Sequence, residues 1–233
     1  MKIFAISDLH LCLSGAKPMD IFGGPWDNYL EEIKLDWNSK VSADDLVLLS
    51  GDMSWALKLE EATNDLEYLN SLNGRKIIIR GNHDYWWKSI SCLRNELPKS
   101  IYPLQNDAIK IENYIICGTR GWVVPEENKP FSEEDQKLYD REIIRLDLSL
   151  KSAKALKTEE NDKIIAMIHF PPFNSSFKPS NFTRLLEEYG VDKVVYGHLH
   201  GKQSRSVNHI NLNGIDYFLT SCDKLNNKLI QIY

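Results

Sequence analysis

Lys76-Ile77-Ile78-Ile79-Arg80, followed at once by Gly81-Asn82-His83-Asp84, is the stretch that decides the fold. Three β-branched residues in a row suit a strand buried on both faces. Directly behind them stand a glycine, an amide, an imidazole and a carboxylate, the groups that bind ions and move protons. The arrangement recurs along the chain. Residues 2–7 run into Asp8-Leu9-His10, residues 45–50 into Gly51-Asp52, residues 163–168 into His169, and residues 193–196 into Gly197-His198-Leu199-His200. A sixth apolar run covers 114–117.

Helical periods lie between these runs. Trp26, Leu30, Ile33, Trp37 and Val41 form one stripe, Leu59, Ala62, Leu66 and Leu69 a second, and Phe182, Leu185, Leu186 and Tyr189 a third. Residues 132–156 read as a longer, highly charged helix. Near the end, Asn213-Gly214 separates two strand-like runs and predicts a tight hairpin over 210–220, followed by a last run at 229–233. Strands alternating with helices predict an α/β domain with a largely parallel sheet, here one domain over residues 1–233. In such sheets ligands gather at the carboxyl ends of the strands. The polar clusters stand there. Asp8 and His10 are two apart, as are His198 and His200, so extended backbone would put each pair on one face. Glycines at 51, 81 and 197 are expected to let the backbone turn where the side chains converge.

Composition narrows the function. With 233 residues, 28 Lys+Arg and 33 Asp+Glu, the net charge is −5 and no basic block is present, which disfavours duplex nucleic acid as a partner. No apolar run is long enough to suggest a membrane span, and the N-terminus reaches Asp8 too soon for a signal peptide. Cys12, Cys92, Cys117 and Cys222 are scattered, read as small buried hydrophobes, and with no export signal predict a cytoplasmic protein.

The strand-end residues favour metal chemistry. Asp8, Asp52, Asn82, His10, His169, His198 and His200 offer carboxylate, amide and imidazole donors without a thiolate, a set suited to divalent Mn, Fe, Zn, Co or Ni. Seven donors exceed one tetrahedral site but suit two ions sharing a carboxylate. Such a centre carries net positive charge and suits a phosphate oxyanion.

The order D-x-H, G-D, G-N-H-D, H, G-H-x-H, from Asp8 to His200, resembles the calcineurin-like metallophosphoesterase superfamily. The resemblance implies a four-layer α/β/β/α sandwich around two mixed β-sheets and a dinuclear centre that hydrolyses a small phosphorylated substrate, a phosphomonoester or phosphodiester, by attack of a metal-bridging hydroxide. It implies that Asp8, His10 and His200 hold one ion, that Asn82, His169 and His198 hold the other, and that Asp52 bridges both. It makes His83 the general acid and not a ligand. Asp84 is expected to buttress its loop.

One departure stands out. Protein serine/threonine phosphatases of this superfamily carry an Asp-Arg pair after the G-D motif, whereas this chain has Gly51-Asp52-Met53-Ser54-Trp55-Ala56. The phosphate-clamping Arg and the carboxylate partner of His83 are missing from that loop. Arg120, in Gly118-Thr119-Arg120-Gly121-Trp122, is a candidate replacement, equally readable as a surface Arg with a backbone partner. Trp55, Trp86, Trp87 and Trp122 follow motif loops and read chiefly as core. Phe170-Pro171-Pro172-Phe173 reads as a rigid loop behind His169. Two alternatives stay open: a non-catalytic metal-binding scaffold on the same fold, or a nuclease of the superfamily. Oligomeric state is not legible.

Overall fold

A computed structural model describes residues 1–127, 130–201 and 206–233. The chain forms two compact units, one of residues 1–103 with 220–233, the other of residues 104–219.

The first unit is built on a five-stranded mixed sheet. Its strands are β1 (Ile3–Ala5), β2 (Leu46–Leu49), β3 (Arg75–Ile78), β4 (Ile101–Pro103) and, from the C-terminal segment, β11 (Ile230–Gln231), in the order β11-β1-β2-β3-β4. β1 to β4 are parallel and β11 is antiparallel to β1. Every residue of β1 and β2 is buried, as continuous apolar runs require. Helices α1 (Tyr29–Lys40), α2 (Thr63–Ser71) and α3 (Ile90–Glu96) accompany the sheet. α1 buries Tyr29, Ile33 and Trp37, and α2 buries Leu66 and Leu69, the faces their periods predict. The first stripe begins earlier than its helix, because Gly24–Trp26 forms a separate 3-10 turn.

The second unit holds a six-stranded mixed sheet in the order β5-β6-β7-β8-β10-β9. Its strands are β5 (Ala108–Ile111), β6 (Tyr114–Thr119), β7 (Lys163–Ile168), β8 (Lys193–Tyr196), β9 (His209–Leu212) and β10 (Ile215–Leu219). β6, β7, β8 and β10 are parallel, and hairpin partners β5 and β9 close the edges antiparallel. The predicted Asn213-Gly214 turn is present, with φ of 51° and 85° at the two residues, the left-handed pair that a two-residue hairpin needs. Helix α4 (Glu133–Leu156) starts at Ser132, whose hydroxyl accepts the N–H of Asp135, and its first turn is acidic, favourable to the helix dipole. Helix α5 (Asn181–Glu188) carries a Ser180/Thr183 capping box.

The two mixed sheets with flanking helices agree with the fold class read from the sequence. β4, β5 and α3 are not legible in the sequence reading, being short or only half-buried. The cysteine reading needs correction: Cys117 and Cys222 are buried, but Cys12 and Cys92 are partly exposed, in a loop and on the outer face of α3. Among the described residues no helix is long and apolar enough to cross a membrane.

Candidate metal centre and phosphate site

In the first unit, the loops after β1, β2 and β3 bring Asp8, His10, Asp52 and His83 together at the carboxyl end of the parallel strands. Asp8 and Asp52 offer carboxylate oxygens within 4.8 Å of each other, and His10 offers a ring nitrogen at a similar distance from Asp8. The His10 Nε2 lies 3.9 Å from Asp52 Oδ2. All three side chains are buried. Two buried carboxylates this close repel each other unless a cation or a proton lies between them. Carboxylates beside an imidazole therefore fit a divalent ion as a donor set.

The pairing is not made by strand alternation. β1 ends at Ala5, and Asp8 and His10 both lie in the left-handed region, with φ of 58° and 46°; Asp52 and His198 do so too, at 54° and 71°. The extended-geometry expectation for Asp8 and His10 is thus corrected. Left-handed backbone, sparsely populated by side chains of this size, folds each loop back on itself, and such strain collects at functional sites.

Glycine acts in two ways here. Gly51, with φ of 99°, makes the turn expected of it. Gly81 instead permits a close approach: a Cβ there would fall 2.1 Å from Asp52 Oδ1. That approach lets the backbone N–H of His83 donate to Asp52 Oδ1 at 2.8 Å.

Asp84 is the brace that the sequence reading expected. Fully buried, it accepts the backbone N–H groups of Asp52 (2.8 Å), Met53 (3.0 Å), Ser54 (3.2 Å) and Gly81 (2.8 Å), and the indole N–H of Trp86 (3.0 Å). One carboxylate therefore ties the G-D loop to the G-N-H-D loop. Asn82, half-buried, sits between two residues of this brace.

Some supports escaped the sequence reading. Ser7 and Ser221 both donate hydroxyls to Asp8 Oδ2, the latter at 2.9 Å, and so orient the carboxylate. Ser7 adjoins the motif and was the available signal; Ser221 lies at the far end of the chain. Trp55, three residues after Asp52, stacks on His10 at 4.6 Å and leans on His83 at 4.5 Å. An aromatic ring from the G-D loop thus packs against His83. Trp86 and Trp87 are core, as expected.

In the second unit, His169 follows β7 and His198 follows β8, and their rings lie 5.2 Å apart, edge to face. The Gly197 N–H donates to the His169 carbonyl at 3.0 Å, fixing one loop to the other. Phe170 packs 4.1 Å from His198, and His200 is half-buried beyond it. Arg120 follows β6, and its carbonyl accepts the N–H groups of His169 and Phe170, both at 3.0 Å. Its guanidinium stands 3.7 Å from the buried Glu142 and 4.9 Å over the Trp122 ring. Glu142 also accepts the Thr119 hydroxyl, the Gly121 N–H and Arg145, so this single buried acid from α4 holds the Arg120 loop in place.

The calcineurin-like phosphoesterase model matches residues 1–202. The chain belongs to the calcineurin-like phosphoesterase family. The family typically binds divalent metals, and Asp8, His10, Asp52, His169 and His200 are candidate ligand residues of this member. Over 86 residues the member is 36% identical to the uncharacterized protein MJ1445 of Methanocaldococcus jannaschii, a stretch covering 36% of this chain and 47% of that protein. The matched region thus spans about half the length of that relative. Two solved structures share the fold. TT1561 of Thermus thermophilus matches with a TM-score of 0.62 at 14% identity, over 98% of this chain and 96% of that one. A phosphopantetheinyl hydrolase from Mycobacterium tuberculosis matches with a TM-score of 0.56 at 14% identity, over 99% and 95%.

Proposed function

We propose that this protein is a dinuclear metal-dependent phosphoesterase that hydrolyses a small phosphomonoester or phosphodiester, residues 1–233 acting as one catalytic domain in the cytoplasm. Asp8, His10, Asp52, Asn82, His169, His198 and His200 are the proposed ligands, with Asp52 shared by both ions. The observation that carries this reading is the placement of two buried carboxylates, Asp8 and Asp52, within 4.8 Å of each other, with His10 against them. Bound divalent ions supply hydroxide at neutral pH and neutralise phosphate oxygens.

The chain's own groups divide the remaining work. Ser7 and Ser221 aim Asp8. Asp84 and the His83 N–H hold Asp52. Arg120, steadied by Glu142 and Trp122, offers a guanidinium to a phosphate oxygen. His83, partly exposed and packed on Trp55, delivers a proton to the departing oxygen.

The test is a rate panel. Protein stripped with a chelator is assayed on nitrophenyl phosphate and bis-nitrophenyl phosphate, then reloaded with Mn, Zn, Fe, Co or Ni in turn. The expected result is loss of turnover on stripping and recovery with at least one ion at two equivalents per chain. Stripped protein that turns over as fast as the reloaded one would refute the reading.

A further inference from the structure

The second unit holds a pocket of about 260 Å³ that opens beside His198. Its walls are Val123, Val124, Phe173, Phe177, Tyr196 and Leu199. Glu126, Asn174 and Ser175 at its edge are hydrogen-bonded to neighbouring groups, and Ser206 also lines it. The Glu126 carboxylate accepts the N–H and hydroxyl of Ser175 at 2.9 and 2.8 Å, and the Asn174 side-chain oxygen accepts the N–H groups of Ser176 and Lys178. Among the described residues, what lines the cavity is chiefly hydrocarbon, with Glu126, Asn174, Ser175 and Ser206 at its edge. The walls are preformed: the Phe173 ring lies 5.2 Å from Phe177 and 5.5 Å from Tyr196.

We infer that this pocket receives the organic group of the substrate, and that the substrate is a phosphoester of an uncharged, apolar alcohol. The inference rests on the phosphoesterase reading, because it takes His198 to stand next to the phosphoryl group. A group esterified to that phosphate then has hydrocarbon walls within reach. Size sets the class: an apolar cavity of about 150 Å³ accepts a benzene ring, so this one has room for a substituted ring or a short alkyl chain.

The experiment uses the metal-loaded protein and ligands that cannot turn over. Inorganic phosphate and methyl-, butyl- and hexylphosphonate are titrated by calorimetry into wild type and Val123→Asp. Val123 is 39% exposed, so an acid there is compatible with folding. Full burial of each added methylene tightens binding about two- to fourfold, and a steady gain from methyl to hexyl that flattens in Val123→Asp is the expected result. Phosphate and all three phosphonates binding with one affinity would overturn the pocket while leaving the phosphoesterase reading intact. If neither phosphate nor any phosphonate binds, both fall together. A full chain-length gain surviving in Val123→Asp would place the alkyl group elsewhere and end the proposal. Should the variant fail to fold, the wild-type series alone decides between the rising and the flat outcome.

Discussion

The carboxylate of Asp84 accepts the backbone N–H of Asp52 at 2.8 Å, a bond between residues 32 positions apart that joins two motif loops. The same carboxylate takes the N–H groups of Met53, Ser54 and Gly81. Removing it leaves several buried donors without an acceptor, each costing about 1–3 kcal/mol. Asp84→Ala is therefore expected to lose about 3 kcal/mol or more of folding stability in urea titration, and metal with it. Asp84→Asn, which keeps one acceptor oxygen, should fall between. An unchanged unfolding midpoint in Asp84→Ala would show that the brace contributes nothing.

If Asp52 serves both ions, Asp52→Asn should weaken both sites, whereas His10→Ala or His200→Ala should empty chiefly one. Metal analysis after gel filtration reads this directly. Two full equivalents retained in Asp52→Asn would contradict the shared ligand. Imidazoles bind metal only when neutral, so metal content and turnover should fall together in mild acid. Undiminished turnover at pH 5 would count against a centre rich in histidine.

His83 separates proton donation from metal binding. A nitrophenolate leaves without a proton, whereas an alkoxide needs one. General acid catalysis contributes about 10²–10⁴-fold, so His83→Ala should lose that much rate on an alkyl ester, far less on a nitrophenyl ester, and keep both metals. Equal losses on the two esters would mean that His83 stabilises phosphate charge instead.

Lys76 tests the core of the first unit. Its side chain is buried in β3, its ammonium donates to the Leu72 carbonyl at the end of α2, and burial lowers its pKa from 10.5 to about 8. Between those values the unfolded chain holds the proton and the folded chain does not, so this group makes stability rise with pH over the window. Below pH 8 both states are protonated and the burial penalty is fully present, at most about 3 kcal/mol. Urea unfolding of wild type and Lys76→Met at pH 7 and pH 10 should show wild type gaining on the variant as pH rises. A constant difference between the two would show that Lys76 stays charged in the fold.

Much of this protein is local and therefore legible. β7 and β8 carry the bounds their apolar runs predict, α4 begins after the Ser132 that caps it, and Asn213-Gly214 makes its hairpin, because each depends on neighbours a few residues away. The strand-end clusters are legible for the same reason: their residue types and order lie in the chain itself. What the tertiary structure decided is geometry set by distant partners. Asp8 is oriented by Ser221, 213 positions away, and Asp52 by the Asp84 carboxylate and the His83 N–H. Asp8, His10 and His198 sit in left-handed backbone where the two-residue spacing reads as extended. Such strain persists only where surrounding contacts over-determine it. Glu142 shows the same limit. In the sequence it is one charge among many on a charged helix; in the fold it is wholly buried, because Thr119, Gly121, Arg120 and Arg145 converge on it.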